Sequence, residues 1–307
     1  MPFRTGAGHY DAAAARDFFK RFGRTEKFDA DIDIFVQNEK SNKQSIFKKP
    51  VTKALTAPLS ETLFARKNIH RMYLLTSGEV TLSADGAVVD RAQPGDVFGE
   101  MAVLSEIPDI DTPARRSATA HTAAAVECFS LDGDEVQAGL GEYPEFALML
   151  MSVMFERLRA QVAKFAQVES GEGHRANRMV PTFNATVMAQ LHDSLGHQST
   201  VRFREGDRII KEGAPGTTMY AVLEGEVAVA VGRRIIEKLG PGGVFGEMAL
   251  VDQLPRAATA VARAECILLS MNRPQLVQLV KANPTIGMAM MRAVAERVRY
   301  MNAVLEE

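Results

Sequence analysis

The sequence predicts a mainly β chain with helices, built as two tandem jelly-roll type barrels that are each followed by helices. Three observations carry this. First, residues 72–104, MYLLTSGEVTLSADGAVVDRAQPGDVFGEMAVL, match residues 219–251, MYAVLEGEVAVAVGRRIIEKLGPGGVFGEMALV, without a gap at an offset of 147. A repeat of that length is domain-sized, so it means two copies of one fold and not a solenoid. Second, Val80 and Leu82, and Val227, Val229 and Val231, alternate with smaller or polar residues between glycine turns such as Ala84-Asp85-Gly86. That is the period of short strands, and many of them with glycine turns read as a barrel. Third, after each copy the apolar spacing lengthens from two residues to about 3.6, the helical period.

In chain order, residues 1–50 read as an N-terminal helical and loop segment. Asp11 is placed to start an alanine-rich helix through Phe22, and Gly23 to end it. Ile32, Ile34 and Val36 alternate over a run too short to decide. Asn38 to Lys49 holds four lysines and one glutamate, a solvated stretch or a basic strip for a partner. Residues 51–169 form the first domain with its following helix. Leu59 to Lys67 stands where the second copy has the turn-rich hairpin Val201 to Gly213, but lacks its glycines. Phe146 to Val168 carries a wide apolar helical face, its methionines reading as adaptable core. Residues 170–183 are the linker, opened by the polar Ser170 to Asn177. Residues 184–307 form the second domain. It opens with a short helix from Asn184 to Leu195 and closes with Pro274 to Val280 and a long helix from Thr285, placed after Pro284.

The bulk figures suit a regulator in the cytoplasm. With 36 basic and 38 acidic residues the net charge is -2, which offers no general attraction to nucleic acid or an anionic membrane. Two cysteines, Cys128 and Cys266, at similar places in the two copies, read as buried thiols. No signal peptide and no apolar run of membrane-spanning length is read from the sequence.

The chemistry concentrates in Pro241 to Ala260, PGGVFGEMALVDQLPRAATA, and its echo Pro94 to Ala120. A Phe-Gly-Glu turn into a short helix points backbone N–H groups outward, where they can hold phosphate. An arginine can clamp the same phosphate as a fork. The glutamate, which repels phosphate, suits a hydroxyl such as that of a sugar. The pattern therefore describes a pocket for a small nucleotide with one phosphate charge and a free ribose hydroxyl. Glu247 and Arg256 are nine residues apart, Glu100 and Arg116 sixteen.

Tyr220 to Val229, then Gly246 to Leu250, then Pro255 to Thr259, resemble the phosphate-binding cassette of the cyclic nucleotide-binding domain family. That family includes the regulatory subunits of cAMP-dependent kinase, bacterial cAMP-receptor transcription factors and nucleotide-gated channels. The resemblance covers about residues 51–160 and 185–305. It implies that Glu247 takes the ribose 2'-hydroxyl and Arg256 the cyclic phosphate. Phe245, Gly246, Met248, Ala249, Ala257 and Ala258 would complete the second site. Gly99, Glu100, Met101, Ala102, Arg116 and Ser117 would be their counterparts in the first. Arg115 is an alternative to Arg116 there, and the insert with Pro108, Asp109, Asp111 and Pro113 brings two acids near an anion site, so binding in the first domain stays open. No cofactor is implied; the ligand is cAMP or cGMP. Ala257 resembles cAMP-preferring sites, whereas the Ser117 hydroxyl suits a guanine amino group and also occurs in cAMP-binding bacterial relatives. In the family the segment after the domain moves over the base. Tyr300 and Arg297 are candidates for that cover, Tyr300 alternatively packing on the domain or facing water.

The expected output is control of a separate partner protein, or action through a homodimer. The alternative is a scaffold that keeps the fold with one or both pockets inactive. One long helix at the end, without a second recognition helix, argues against DNA binding. Residues 1–50 hold no clear kinase-inhibitor site. His192 and His197 are five apart, not at the four-residue spacing of a helical metal pair, and the six histidines are scattered, which argues against an enzyme of the metal-barrel type.

Overall fold

The computed structural model describes residues 11–37, 70–104, 116–167 and 182–306. The lysine-rich Asn38 to Lys49, the stretch Leu59 to Lys67, the insert Pro108 to Pro113 with Arg115, and the linker residues Ser170 to Asn177 lie outside these. The contacts divide the chain into two units, one formed mainly by residues 15–136 and one mainly by residues 137–307.

Helix α1 (Ala12–Phe22) begins where Asp11 accepts from the amides of Ala13 and Ala14 at 2.9 and 3.1 Å. It ends where the Gly23 amide donates to the Phe19 carbonyl at 2.8 Å. In the first unit follow β1 (Arg24–Phe28), β2 (Ile32–Phe35), β3 (Met72–Ser77), β4 (Val80–Ala84), β5 (Ala87–Ala92), β6 (Val97–Phe98), helix α2 (Glu100–Val103), β7 (Thr119–Thr122) and β8 (Val126–Leu131). Helix α3 (Gly133–Leu140) crosses into the second unit. There follow α4 (Glu145–Gln167), α5 (Ala185–Leu195), β9 (Thr200–Phe203), β10 (Arg208–Ile210), β11 (Thr218–Glu224), β12 (Val227–Val231), β13 (Arg234–Leu239), β14 (Val244–Phe245), α6 (Glu247–Asp252), β15 (Thr259–Ala262), β16 (Cys266–Asn272), α7 (Arg273–Ala282) and α8 (Pro284–Glu306).

The expected barrels are not what forms. Each unit contains two separate four-stranded antiparallel sheets, β1-β8-β3-β6 with β2-β7-β4-β5, and β14-β11-β16-β9 with β10-β15-β12-β13. None closes. Period-two alternation establishes strands with one buried face, and two open sheets sharing a core satisfy it as well as a closed one. The first core draws Tyr73, Leu75, Phe98, Val126 and Cys128 from one sheet and Phe35, Val80, Leu82 and Ala120 from the other. β6 and β14 are two residues long and end their sheets, too short to carry hydrogen bonding onward. With two 23-residue helices, α4 and α8, the fold is mixed α and β and not mainly β.

The N-terminal strands are a second departure. Residues read as a helical and loop segment supply β1 and β2, which pair with β8 and β7 of the first unit. They are the structural counterpart of β9 and β10. Phe28 meets Tyr73 edge-on at 5.9 Å, and Phe203 meets Tyr220 edge-on at 6.4 Å. Both strand pairs turn through a left-handed residue three positions past that phenylalanine, Asp31 (φ 61°) and Gly206 (φ 86°). In the second unit a short loop then leads to β11. In the first, the chain from Phe35 to Met72 is far longer, and this separation hides the match in the sequence.

Among the described residues no helix is long and apolar enough to cross a membrane, and none forms a metal-holding cluster of three or more His, Cys, Asp or Glu side chains.

Candidate functional site

In both units the turn into the short helix is made by a left-handed glycine. Gly99 precedes α2 with φ 79° and Gly246 precedes α6 with φ 79°. An L side chain is strained there, and an added Cβ at Gly246 would stand 2.8 Å from Nη1 of Arg256. The glycine thus brings the backbone against the arginine.

The two arginines are held identically. Arg256 donates from Nη1 to the Gly246 carbonyl at 2.8 Å and from Nη2 to the Thr218 carbonyl at 2.6 Å. Arg116 donates from Nη1 to the Gly99 carbonyl at 2.9 Å and from Nη2 to the Arg71 carbonyl at 3.0 Å. Thr218 and Arg71 are corresponding repeat positions. Both arginines are buried. Burial lowers the Arg256 pKa, with Tyr220 and Glu247 opposing it. A guanidinium drawn out of water and bonded to neutral carbonyls retains donor capacity and charge for an anion. Arg116 holds the position corresponding to Arg256 despite the longer spacing in its copy.

The surroundings of the arginines differ. The Arg116 guanidinium lies over the Phe35 ring at 4.0 Å. Phe35 also neighbours Tyr73 and Phe98, with ring centres at 6.1 and 6.2 Å. The matching position in the second unit is Ile210. The stacked pair beneath is common to both, Tyr73 on Phe98 at 5.3 Å and Tyr220 on Phe245 at 5.4 Å. Glu100, Met101 and Ala102 are buried, and Ser117 is exposed.

In the second unit every residue singled out in the sequence lines one cavity: Phe245, Gly246, Glu247, Met248, Ala249, Arg256, Ala257, Ala258 and Tyr300. Its volume is about 90 Å³. Other lining residues were not singled out: Ile210, Glu237, and Leu158 and Val162 of α4. The helix that follows the first repeat thus forms a wall of the second pocket.

Glu247 is not bare. Its Oε1 accepts from Nη1 of Arg297 at 2.6 Å, and Arg297 also donates to Glu237 at 3.1 Å and to the Val244 carbonyl at 2.6 Å. Burial pushes the Glu247 carboxyl above its ordinary value, with Arg297 pulling the other way. For Arg297 burial opposes the charge, but Glu237 and Glu247 outweigh it and hold the guanidinium above its ordinary value. Arg297 therefore ties α8 to the glutamate of the pocket. Its position one helical turn before Tyr300 was the available signal. For Glu237, whose partner Arg297 lies far along the chain, the sequence offers none.

A family model described as cyclic nucleotide-binding domain matches residues 56–143 and again 200–283, together more than half of the chain. A cAMP-dependent protein kinase regulatory subunit from Debaryomyces hansenii is 27% identical over 209 residues, covering 68% of this chain and 40% of that protein. Another from Candida albicans is 25% identical over 239 residues, covering 74% and 45%. The chain thus spans less than half the length of these curated relatives. Among solved structures, the Thermus thermophilus catabolite activator protein is 28% identical, with 41% of this chain and 62% of that chain covered and a TM-score of 0.36.

Proposed function

The chain belongs to the cyclic nucleotide-binding domain family, and from that premise we propose that it is a non-catalytic cyclic-nucleotide sensor whose second repeat is the main site. The observation that carries this is the buried Arg256, aimed by two carbonyls into a cavity that it shares with Glu247. Arg256 takes the cyclic phosphate, assisted by amides at the start of α6. Glu247 accepts the ribose hydroxyl while keeping Arg297. Ala257 beside the arginine offers no hydroxyl to a guanine amino group, which favours cAMP over cGMP there. The exposed Ser117 leaves both open at the first repeat.

The output is a conformational change passed to a separate protein partner. The curated relatives are regulatory subunits of a kinase, which supports a partner of that kind. The route runs through α8, since ligand at Glu247 bears on Arg297. Two buried free thiols suit work in the reducing cytoplasm.

Calorimetry with cAMP and with cGMP on the wild type, Arg256→Ala and Arg116→Ala tests the reading. Loss of the dominant binding event in Arg256→Ala is expected. Unchanged affinity in that variant, or no heat from nucleotide-free folded wild type, would favour a fold-keeping scaffold instead.

A further inference from the structure

The cavity beside Arg256 holds about 90 Å³, whereas pockets for small ligands run to about 300–1,000 Å³. What fills the difference includes α4, whose buried Leu158 and Val162 line the space. Between them Arg159 turns to the site's own loop. Its Nε donates to Asp252 Oδ2 at 2.6 Å, Nη2 to Asp252 Oδ1 at 3.0 Å, and Nη1 to the Pro255 carbonyl at 2.8 Å. Asp252 ends α6 and Pro255 immediately precedes Arg256, so this fork grips the short connection between the two halves of the anion site. The Asp252 side chain is 6% exposed and that of Arg159 20%, so the pair is largely shielded from water. Gln161 adds a bond to the Val298 carbonyl at 3.3 Å, and the Phe165 carbonyl accepts from Arg234 at 3.1 Å.

We propose that α4 is a plug in the second pocket, latched by Arg159 to Asp252 and Pro255, and that the nucleotide enters as this latch opens. The inference rests on the nucleotide reading of the pocket and adds the element that must yield. A latched chain presents its binding-competent form only in part of the population, which weakens apparent affinity by that fraction. Removing the latch therefore tightens binding. An ordinary structural lesion beside a pocket does the opposite.

The test uses the full chain, with cAMP in calorimetry and a fluorescent cyclic nucleotide in stopped flow. Arg159→Ala is expected to bind at least about fivefold tighter, with faster association. Arg159→Lys, which keeps charge but not the fork, falls between it and wild type. Equal or weaker binding by Arg159→Ala, with Arg256→Ala still abolishing the wild-type event, overturns the latch alone. A wild type that binds nothing, or an Arg256→Ala that binds normally, overturns the nucleotide reading and the latch with it. Hydrogen exchange on wild type needs no variant to fold: cAMP should speed amide exchange over residues 155–165, and unchanged or slower exchange there overturns the proposal.

Discussion

The guanidinium of Arg256 passes directly over Gly216, so close that a Cβ added to the glycine would overlap Nε and Cζ. Gly216 lies in the loop before β11, and the same arginine reaches the Thr218 carbonyl two residues on. The loop is therefore a mould for the arginine. Gly216→Ala should displace the guanidinium and weaken cAMP binding at the second repeat by about tenfold or more, about 1.4 kcal/mol. Calorimetry on the folded variant measures it, and wild-type affinity would show the arginine free to bind from another rotamer.

A second expectation concerns acid. Burial raises the Glu247 carboxyl, so the folded chain takes up this proton more readily than the unfolded chain. The associated stability is present below the ordinary carboxylate range and lost as pH rises through the raised folded value. Glu247→Gln removes that dependence. Urea unfolding of wild type and variant at pH 4 and pH 7 should show the variant gaining relative to wild type at the higher pH. A difference independent of pH contradicts the assignment.

Phe35 ties the first unit together from a strand outside the legible repeat. It is 6% exposed and meets Arg116, Tyr73 and Phe98. Phe35→Ala should cost about 3–5 kcal/mol by truncation of a buried ring. Denaturant unfolding measures this. A loss under 1 kcal/mol would mean that the N-terminal strands add little to the unit.

The thiols offer a simple check. Burial pushes Cys128 up to about 12, and Cys266 is buried with its Sγ near the Glu226 and Ala264 carbonyls at 3.3 Å. A thiol reagent at pH 8 should label neither in the native chain and both in denaturant. Native labelling of Cys128 would show that β8 opens readily.

The arginine-glutamate-glycine set was legible because all its members lie within one short local pattern whose chemistry depends on spacing. The strands β1 and β2 were not. Asp31 occupies the left-handed turn position that Gly206 holds in the other copy, so the glycine signal is missing, and the long segment after Phe35 breaks the register. Sheet closure was misjudged because alternation reports which face of a strand is buried, not which strand neighbours the next. The lining by Leu158 and Val162 was also beyond reach, since an apolar helical face states that it is covered but not by what.

The arginines of both repeats are oriented by main-chain carbonyls, at Gly99 and Arg71 in one and at Gly246 and Thr218 in the other. A carbonyl oxygen is the same whatever side chain its residue carries. After a duplication, positions 71 and 218 were therefore at liberty to diverge, one to an arginine whose guanidinium ties β8 to α3 through Ser130, Asp132 and Glu135, the other to a small threonine. The aim of each arginine is shielded from that drift, so the two copies could differ around it while each kept the same grip.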